Sequence, residues 1–329
     1  MFAEKEETAV KGLGVDTSCY TSSVAVLDQD GSVIDRRKLL EVRPGQRGLR
    51  QGEAVFQHVG NLPELLEEVV PLDEVGVVAV SDKPRSLPDS YMPVFKVGES
   101  LATSLALALN VPCYFTSHQA GHIWAGLYGL KRAWFGKFLV LHISGGTTDL
   151  LKVSMPKQPS TDKGDMEIEQ IGGTLDINAG QLIDRLGVKM GLRFPAGPRL
   201  EELAQAGRSA NVPPAKLPVS VKGASLNLSG PEAAAGRMWE KGIDEKALAQ
   251  GIEMCLAESL AKLVYHGANH TNIGRILVVG GVASNKFIGE FLKASLQNIE
   301  IVFAPPHLST DNAVGTAAFG LWKRGYFCY

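Results

Sequence analysis

Two histidines four positions apart are the residues of this sequence with the most distinctive chemistry. His118 and His122 lie in a stretch that predicts a helix from about Ser117 to Tyr128, so their imidazoles share one helix face at chelating distance. Gln119 follows the first histidine, which excludes the HExxH motif of zinc proteases, whose glutamate is the general base. Such a pair more often packs in a core or faces solvent than binds a metal, so both roles stay open.

A third ligand would have to come from elsewhere in the chain. Asp311 lies in the run Ser-Thr-Asp-Asn of residues 309–312, between a predicted strand and the predicted terminal helix. Two imidazoles and one carboxylate suit Fe(II) or Zn(II) and leave coordination positions open for a ligand. An ordinary helix N-cap is the alternative role for Asp311.

Three turns rich in small residues could accept phosphate groups. They are Asp16–Thr21, Ser144–Asp149 and Gly280–Asn285, each beside a predicted strand. Gly145 and Gly146 would let backbone amides approach an anion closely, and a helix beginning after the third turn would add its positive N-terminal end. A hairpin or a close strand–helix contact explains each turn alone. The first two turns recur at the equivalent point of each half of the chain, which favours a ligand site there. For the third turn, close packing of a strand and a helix is about as good an explanation as ligand binding.

The predicted strands and helices that would position these residues occur in the same order twice along the chain. Strands are predicted at Gly12–Ser18, Ser22–Leu27 and Val33–Leu40, followed by helices alternating with strands, and the same order restarts near Phe138. This repeat predicts an α/β fold of two ribonuclease-H-like lobes with a ligand cleft between them. Actin, sugar kinases and the heat-shock-chaperone ATPases have this architecture.

The division of the chain follows from the repeat. We expect the first ribonuclease-H-like lobe at 1–133 and the second at 134–329. The second lobe contains a stretch rich in Pro, Gly and Ser, which predicts an irregular insertion at about 193–230. The terminal helix predicted from Asp311 is expected to be able to pack back on the first lobe.

Composition excludes several classes of protein. The 329 residues include 33 Lys and Arg, 35 Asp and Glu and 45% hydrophobic residues, which excludes a disordered chain, a collagen and a highly basic nucleic-acid binder. The charged N-terminus lacks the apolar core of a signal peptide, and polar residues interrupt the uncharged stretch 101–130, so we expect a cytoplasmic protein without a membrane segment. No CxxC spacing points to a disulfide framework or a cysteine zinc site among Cys19, Cys113, Cys255 and Cys328.

Seven short stretches, in this order, resemble the motifs of the bacterial TsaD family, also called Gcp and formerly O-sialoglycoprotein endopeptidase. The stretches are Gly14–Cys19, His118–His122, Ser144–Thr148, Gly173–Gly180 with Asp184–Arg185, Pro195–Pro198, Gly280–Asn285 and Thr310–Asn312. The resemblance covers nearly the whole chain. The ordered set is specific to the family, although each stretch alone is not.

The resemblance implies an enzyme that transfers a threonylcarbamoyl group from an adenylate to the adenosine beside the anticodon of tRNAs reading codons that start with A. It implies one divalent metal, Fe or Zn, on His118, His122 and Asp311. It also implies partners: tRNA, and the family's partner proteins or a second copy of the chain, but neither DNA nor a membrane. An adenine nucleotide or threonylcarbamoyl-adenylate would bind Ser144, Gly145, Gly146, Thr147, Thr148, Asp184, Gly197, Glu201 and Asn285.

Four departures from the family's motifs keep a second function open. Tyr20 and Thr21 stand where the family has Asp and Glu, and the loop Lys83–Pro93 replaces a Gly-Pro-Gly-Leu loop. Thr147 replaces a histidine and Gln181 replaces a glutamate. The alternative to the transferase is therefore a catalytically degenerate paralogue that binds nucleotide and metal and acts through protein partners.

A modest excess of basic residues bears on tRNA binding. Between Leu182 and Lys222 the sequence has seven basic and three acidic residues, which permits a phosphate-binding face. Phe194 is the only aromatic residue there that could stack on a base. A solvated surface explains this composition equally well.

Overall fold

A computed structural model describes residues 10–18, 20–42, 49–131, 134–159 and 166–326 of the protein. Cys19, Cys328 and the N-terminal segment assessed for a signal peptide lie outside these residues. Cys113 and Cys255 are free thiols. Within the described ranges, every helix is too short or too polar to cross a bilayer.

The first part of the chain alternates strands and helices after an opening run of three strands. In chain order the elements are β1 (Lys11–Ser18), β2 (Thr21–Asp28), β3 (Val33–Leu39), α1 (Gln51–Glu67), β4 (Val75–Lys83), α2 (Phe95–Leu109), β5 (Cys113–Ser117) and α3 (His118–Gly129).

The second part repeats this order with additional helices. Its elements are β6 (Gly136–Ile143), β7 (Thr148–Met155), β8 (Glu167–Thr174), α4 (Ala179–Lys189), α5 (Gly197–Ser209), β9 (Ser220–Lys222), β10 (Ser225–Asn227), α6 (Ser229–Glu240), α7 (Glu245–Thr271), β11 (Arg275–Val279), a 3-10 turn (Gly281–Ser284), α8 (Lys286–Ser295), β12 (Glu300–Phe303), α9 (Pro306–Ser309) and α10 (Val314–Lys323).

The chain divides into two compact units. The first comprises the described residues of Met1–Phe135, Pro156–Met166 and Thr310–Tyr329, and the second comprises Gly136–Met155 and Glu167–Ser309. The helix α10 near the C-terminus therefore belongs to the unit that begins the chain.

The two sheets share one strand order, and this confirms the predicted α/β fold built on a repeat. The first sheet has the order β3-β2-β1-β4-β5, and the second contains β8-β7-β6-β11-β12 in the same arrangement, extended by β10 and β9. In each sheet three antiparallel strands come first and two parallel strands follow. This is the ribonuclease-H-like topology that the sequence predicts.

Side chains along β1 point alternately to the two faces of the first sheet. Leu13 and Val15 join a core with residues of α1 and α2. Gly12 and Gly14 lie on the opposite face, where a side chain at either position would collide with α10. Because successive strand residues face opposite sides, Asp16 lies on the same face as these glycines, beside α10 and α3.

One expectation about the second half of the chain is wrong. The stretch 193–230 is not an irregular insertion, because it contains α5, the β9–β10 hairpin and the start of α6. Pro198 falls at the start of α5, where it costs no helical hydrogen bond, and Leu200 and Ala204 bury one face of this helix. Pro198 therefore marks the beginning of a helix, whereas Pro213, Pro214 and Pro218 lie in the irregular segment between α5 and β9.

The alternative N-cap role of Asp311 is also wrong. Asp311 does not cap α10, since the side chain of Asn312 accepts from the amide of Val314 at 3.0 Å. At the other helix that follows a glycine turn, Asn285 caps α8, with its Oδ1 accepting from the amide of Ile288 at 2.9 Å. The carboxylate of Asp311 is thus free of helix capping and is available for other contacts.

Candidate metal and nucleotide sites

His118, His122 and Asp311 lie together in the first unit. Their nearest ligand atoms are all within 4.8 Å of one another, and no other described residues form a comparable cluster of three metal-binding groups. The Oδ1 atom of Asp311 is 3.5 Å from Nε2 of His118 and 3.3 Å from Nε2 of His122. Two imidazole nitrogens and one carboxylate oxygen therefore point at one another, as the ligands of a divalent ion would.

Local sequence explains how the two histidines reach this position. Ser117 ends β5 and caps α3, with its Oγ accepting from the amide of Ala120 at 3.1 Å. His118 is consequently the first residue of the helix, and His122 follows one turn later on the same face.

Close packing of α10 on α3 brings Asp311 to the histidines. Gly315 makes this approach possible, because a side chain there would overlap the backbone of Gly121 and Ala125. Gly121 lies between the two histidines in α3, so this close contact of the helices is immediately beside the cluster.

The β1–β2 hairpin supports two of the three ligands. Oδ1 of Asp16 is 3.0 Å from Nδ1 of His118. Ser18 Oγ donates to Oδ2 of Asp311 at 3.0 Å, and Thr21 Oγ1 donates to the same oxygen at 3.4 Å. The sequence pattern indicates phosphate binding for this turn and does not reveal its contacts with the metal-binding cluster.

Charge within the cluster shifts two ionisation equilibria. Burial alone would lower the pKa of His118, but the carboxylates of Asp16 and Asp311 outweigh burial and raise it well above its ordinary value. Burial would raise the pKa of Asp311, but hydrogen bonds from the two histidines and their charge lower it well below its ordinary value. The metal-free cluster therefore attracts a cation, either a proton on the histidine or a metal ion.

One side of the cluster is accessible. The side chain of His122 is 3% exposed, whereas those of His118 and Asp311 are 19% and 30% exposed. A metal held by these three groups would have both a buried side and a side open to another ligand.

The loop Lys83–Pro93 packs against the N-terminal end of α3. The carbonyl of Pro84 accepts from the amide of Gln119 at 3.0 Å, and Ser86 Oγ is 2.8 Å from Oγ of Ser117. A cavity of about 390 Å³ lies here, lined by Lys83, Ser86, Leu87, Pro88, Phe115, Thr116, Ser117, Ala120, Trp124, Met166 and Phe319. The loop that departs from the family's motif thus forms a wall next to His118.

In the second unit, the turn Ser144–Thr148 packs on the N-terminal end of α4. The carbonyl of Ser144 accepts from the amide of Gly180 at 3.1 Å, and Thr148 Oγ1 accepts from the amide of Ala179 at 2.8 Å. The amide of Ser144 donates to the carbonyl of Thr147 at 2.8 Å, which closes the turn and leaves Gly145 and Gly146 exposed.

The third glycine turn lies beside this second one. Gly280 has a φ of 96° and lies so close to the carbonyl of Ile143 that a side chain would not fit. Since Ile143 is the last residue of β6, the turn after β11 and the turn after β6 meet at the same edge of the sheet. Two glycine-containing turns therefore converge there, and their backbone amides suit an anion.

Asp184 and Gly197 belong to the neighbouring helices α4 and α5. Oδ1 of Asp184 accepts from the amide of Ala196 at 2.8 Å, so this carboxylate joins the two helices. Burial raises the pKa of Asp184. Gly197 is the first residue of α5 and is half-buried.

Glu201 and Asn285 meet at the beginning of α8. Oε1 of Glu201 accepts from the amide of Lys286 at 2.8 Å. Nδ2 of Asn285 donates to Oε1 of Glu253 at 2.7 Å, and this buried glutamate also accepts from Nη1 of Arg208 at 2.6 Å. Neither Glu253 nor Arg208 lies in a recognisable motif, so the sequence did not indicate a role for them here.

Comparisons with known proteins agree on one family. A family model described as TsaD, tRNA N6-adenosine threonylcarbamoyltransferase, matches residues 54–318. A protein of this name from Thermus thermophilus is 32% identical over 328 residues, which cover 96% of this chain and 92% of that protein. Another from Methanopyrus kandleri is 28% identical over 318 residues, which cover 94% of this chain and 86% of that protein.

A longer relative is the probable bifunctional tRNA threonylcarbamoyladenosine biosynthesis protein of Methanocaldococcus jannaschii. It is 28% identical over 314 residues, and the match spans 94% of this chain but only 54% of that protein. The chain therefore corresponds to about half of the bifunctional relative.

Solved structures at low identity support the fold alone. HypF of T. kodakarensis matches with a TM-score of 0.58 at 14% identity, over 97% of this chain and 49% of that one. A ROK family glucokinase from Streptomyces griseus, in complex with glucose and AMPPNP, matches with a TM-score of 0.54 at 11% identity, over 94% of this chain and 99% of that one. The glucokinase agrees with the predicted sugar-kinase type of architecture.

Proposed function

The chain belongs to the TsaD family, and from this premise we propose that it transfers a threonylcarbamoyl group from an adenylate to an adenosine of tRNA. The observation that carries the proposal is the match to the family over residues 54–318, combined with the convergence of His118, His122 and Asp311. Each of these three residues lies in a stretch that resembles a motif of the family.

We propose that the three residues hold one divalent ion, Fe(II) or Zn(II). The donor set fits such an ion, because two neutral imidazoles and a carboxylate are common ligands of both metals. Bound there, the ion would act as a Lewis acid on the carbonyl oxygen of the carbamoyl group. The protein's own contribution is to fix the ligands, to bury His122 and to leave the side at Asp311 accessible.

The proposed nucleotide site lies at the sheet edge of the second unit. The backbone amides of the exposed residues Gly145 and Gly146 would donate to the phosphate of an adenylate. Asp184 and Glu201 would accept from ribose hydroxyls with the oxygens that do not already bind Ala196 and Lys286. The second Nδ2 hydrogen of Asn285 remains for a ligand, since the other donates to a protein carboxylate.

The proposal that tRNA is the acceptor rests on the family and not on a basic surface. Four of the seven basic residues between Leu182 and Lys222 form ion pairs with acidic residues, which reduces the net positive charge of this region. These pairs are Arg185–Glu232, Lys189–Glu240, Arg199–Glu202 and Arg208–Glu253. We propose that partner proteins of the transfer machinery, or a second copy of the chain, complete the tRNA-binding surface.

No contact among the described residues favours the degenerate-paralogue alternative. Thr21 donates to Asp311, and Gln181 forms a capping box with Asn178 at the beginning of α4. Thr147 contributes the carbonyl that closes its turn, which any residue could supply. These three replacements are therefore compatible with the candidate sites that they adjoin.

Complementation tests the proposed function. A strain depleted of its own threonylcarbamoyl transferase would express this chain, and threonylcarbamoyladenosine in its tRNA would be measured by mass spectrometry. We expect the wild-type chain to restore the modification and His122→Ala to fail, with the Thermus thermophilus relative as a positive control. A well-folded wild-type chain that leaves tRNA unmodified, while the relative restores the modification, would contradict the proposal.

A further inference from the structure

We propose that Asp16, Ser18 and Thr21 of the β1–β2 hairpin are positioning residues for the metal ligands His118 and Asp311. The inference rests on the metal site of the proposed function and assigns a role to a turn that the sequence associates with phosphate binding. Ser18 and Thr21 are cross-strand partners, and Asp16 is two residues before Ser18 in β1. All three side chains therefore lie on the sheet face that carries α3 and α10.

Asp16 fixes which nitrogen of His118 is available to a metal. A carboxylate can only accept a hydrogen bond, so the contact of 3.0 Å requires a proton on Nδ1 of His118. Nε2 of the neutral ring then keeps its lone pair and faces Oδ1 of Asp311. A carboxylate behind a ligating histidine holds the ring in one orientation and makes the ligand more basic.

The burial of Asp16 supports a functional role. Asp16 is 1% exposed, and its Oδ2 has no hydrogen-bond partner among the described residues. A buried carboxylate with one unsatisfied oxygen destabilises the folded state unless another contact compensates. The contact that this side chain does make is the one with the ligand His118.

Ser18 and Thr21 orient the carboxylate of Asp311 in the same way. Both hydroxyls donate to Oδ2, at 3.0 and 3.4 Å, so Oδ1 is left to face the two imidazoles. In this chain the hairpin therefore binds the ligand carboxylate through neutral donors.

Zn²⁺ affinity, measured by competition with a chromophoric chelator, tests the role of Asp16. We expect Asp16→Ala to bind Zn²⁺ about 10–100-fold more weakly than the wild type, as is usual when a partner of a metal ligand is removed. Asp16→Asn should lose less affinity, because its amide oxygen can still accept from Nδ1 while the negative charge is gone. If circular dichroism shows that Asp16→Ala is unfolded, the comparison of Asp16→Asn with the wild type decides.

Paired variants test the hydroxyls. Ser18→Ala combined with Thr21→Val should weaken Zn²⁺ binding, whereas Thr21→Ser keeps a donor and should retain the wild-type affinity. Ser22→Ala is the matched control, because this buried hydroxyl belongs to the same hairpin but contacts Nδ1 of His58 at 2.8 Å. It should leave Zn²⁺ affinity unchanged.

Proton NMR of the Zn²⁺-loaded protein gives a readout that a merely structural role would not change. A hydrogen-bonded Nδ1 proton of His118 should appear far downfield in the wild type and in Ser22→Ala, and should exchange away in Asp16→Ala. Equal Zn²⁺ affinity and an unchanged Nδ1 signal in Asp16→Ala would overturn the inference while the metal site stands. A wild type that binds no Zn²⁺ or Fe²⁺ would overturn the inference together with the metal part of the proposed function.

Discussion

Replacing Gly315 by alanine should disrupt the metal cluster without changing any of its ligands. A Cβ atom at this position would fall about 1 Å inside the 3.0 Å limit for contact with the carbonyl oxygen of Gly121. It would also be too close to the amide nitrogen of Ala125. Both atoms belong to the backbone of α3, so no side chain can rotate away, and α10 must move outward by roughly 1 Å.

Two consequences of this movement can be estimated. Overpacking of this kind costs about 1–3 kcal/mol of unfolding free energy. Asp311 lies just before α10, and metal–ligand distances tolerate changes of only about 0.2 Å, so the carboxylate would be displaced beyond the useful range. We expect Zn²⁺ affinity to fall by at least about tenfold, as for the loss of a contact that orients a ligand.

Urea unfolding and Zn²⁺ competition measure both effects. Gly60→Ala is the matched control, because Gly60 is also helical but a Cβ added there would meet nothing within 4 Å, and this variant should gain about 0.5–1 kcal/mol. Wild-type stability together with wild-type Zn²⁺ affinity in Gly315→Ala would refute the reasoning. Destabilisation with unchanged affinity would show that the helix contact matters for folding but not for the cluster.

Three further predictions concern protonation and the second unit. The pKa of His118 is higher in the folded protein than in the unfolded chain, so the metal-free protein should lose stability as pH rises through the folded-state pKa, which urea unfolding in the presence of a chelator would measure. Zn²⁺ binding near neutral pH should release protons, which a pH indicator would detect. Gly180→Ala should weaken adenine-nucleotide binding in calorimetry, because the added Cβ would lie 2.6 Å from Cα of Gly145. The control Gly230→Ala, whose Cβ would meet nothing within 4 Å, should bind the nucleotide normally, and equal binding by the two variants would contradict the proposed site. Glu253→Ala should destabilise the protein by about 1–3 kcal/mol in urea, because a buried carboxylate that accepts two hydrogen bonds is removed, and an unchanged midpoint would contradict this role.

Two residues of the metal cluster could be predicted from a local pattern in the sequence. His118 and His122 are separated by one helical turn, and a helix can be predicted from its own residues. Asp311 could be suggested as a third ligand from its position before the terminal helix and from the resemblance to a family, but its place beside α3 depends on the packing of α10. Asp16 and Thr21 carried no such signal, since their contacts bridge 102 and 290 positions of the chain.

The repeated fold could also be predicted from local patterns, and the errors in the prediction have physical causes. Strands and helices whose apolar residues are regularly spaced can be recognised in the sequence, and both sheets have the same core strand order because the pattern of elements repeats. Pro198 obscured α5, because proline reads as a helix breaker unless it falls in the first turn. The burial of Glu253 beneath Asn285 depends on the crossing of α7 and α8, which no local pattern encodes.

Transfer of labelled threonine to tRNA tests the central claim most directly. The purified, metal-loaded chain would be incubated with the family's partner proteins, threonylcarbamoyl-adenylate carrying isotope-labelled threonine, and tRNA that reads a codon starting with A. We predict label in threonylcarbamoyladenosine after nuclease digestion, and loss of this label in His118→Ala and Asp311→Ala. A folded wild-type chain that transfers no label, under conditions in which the Thermus thermophilus relative does, would contradict the assignment, as would undiminished transfer by both ligand variants.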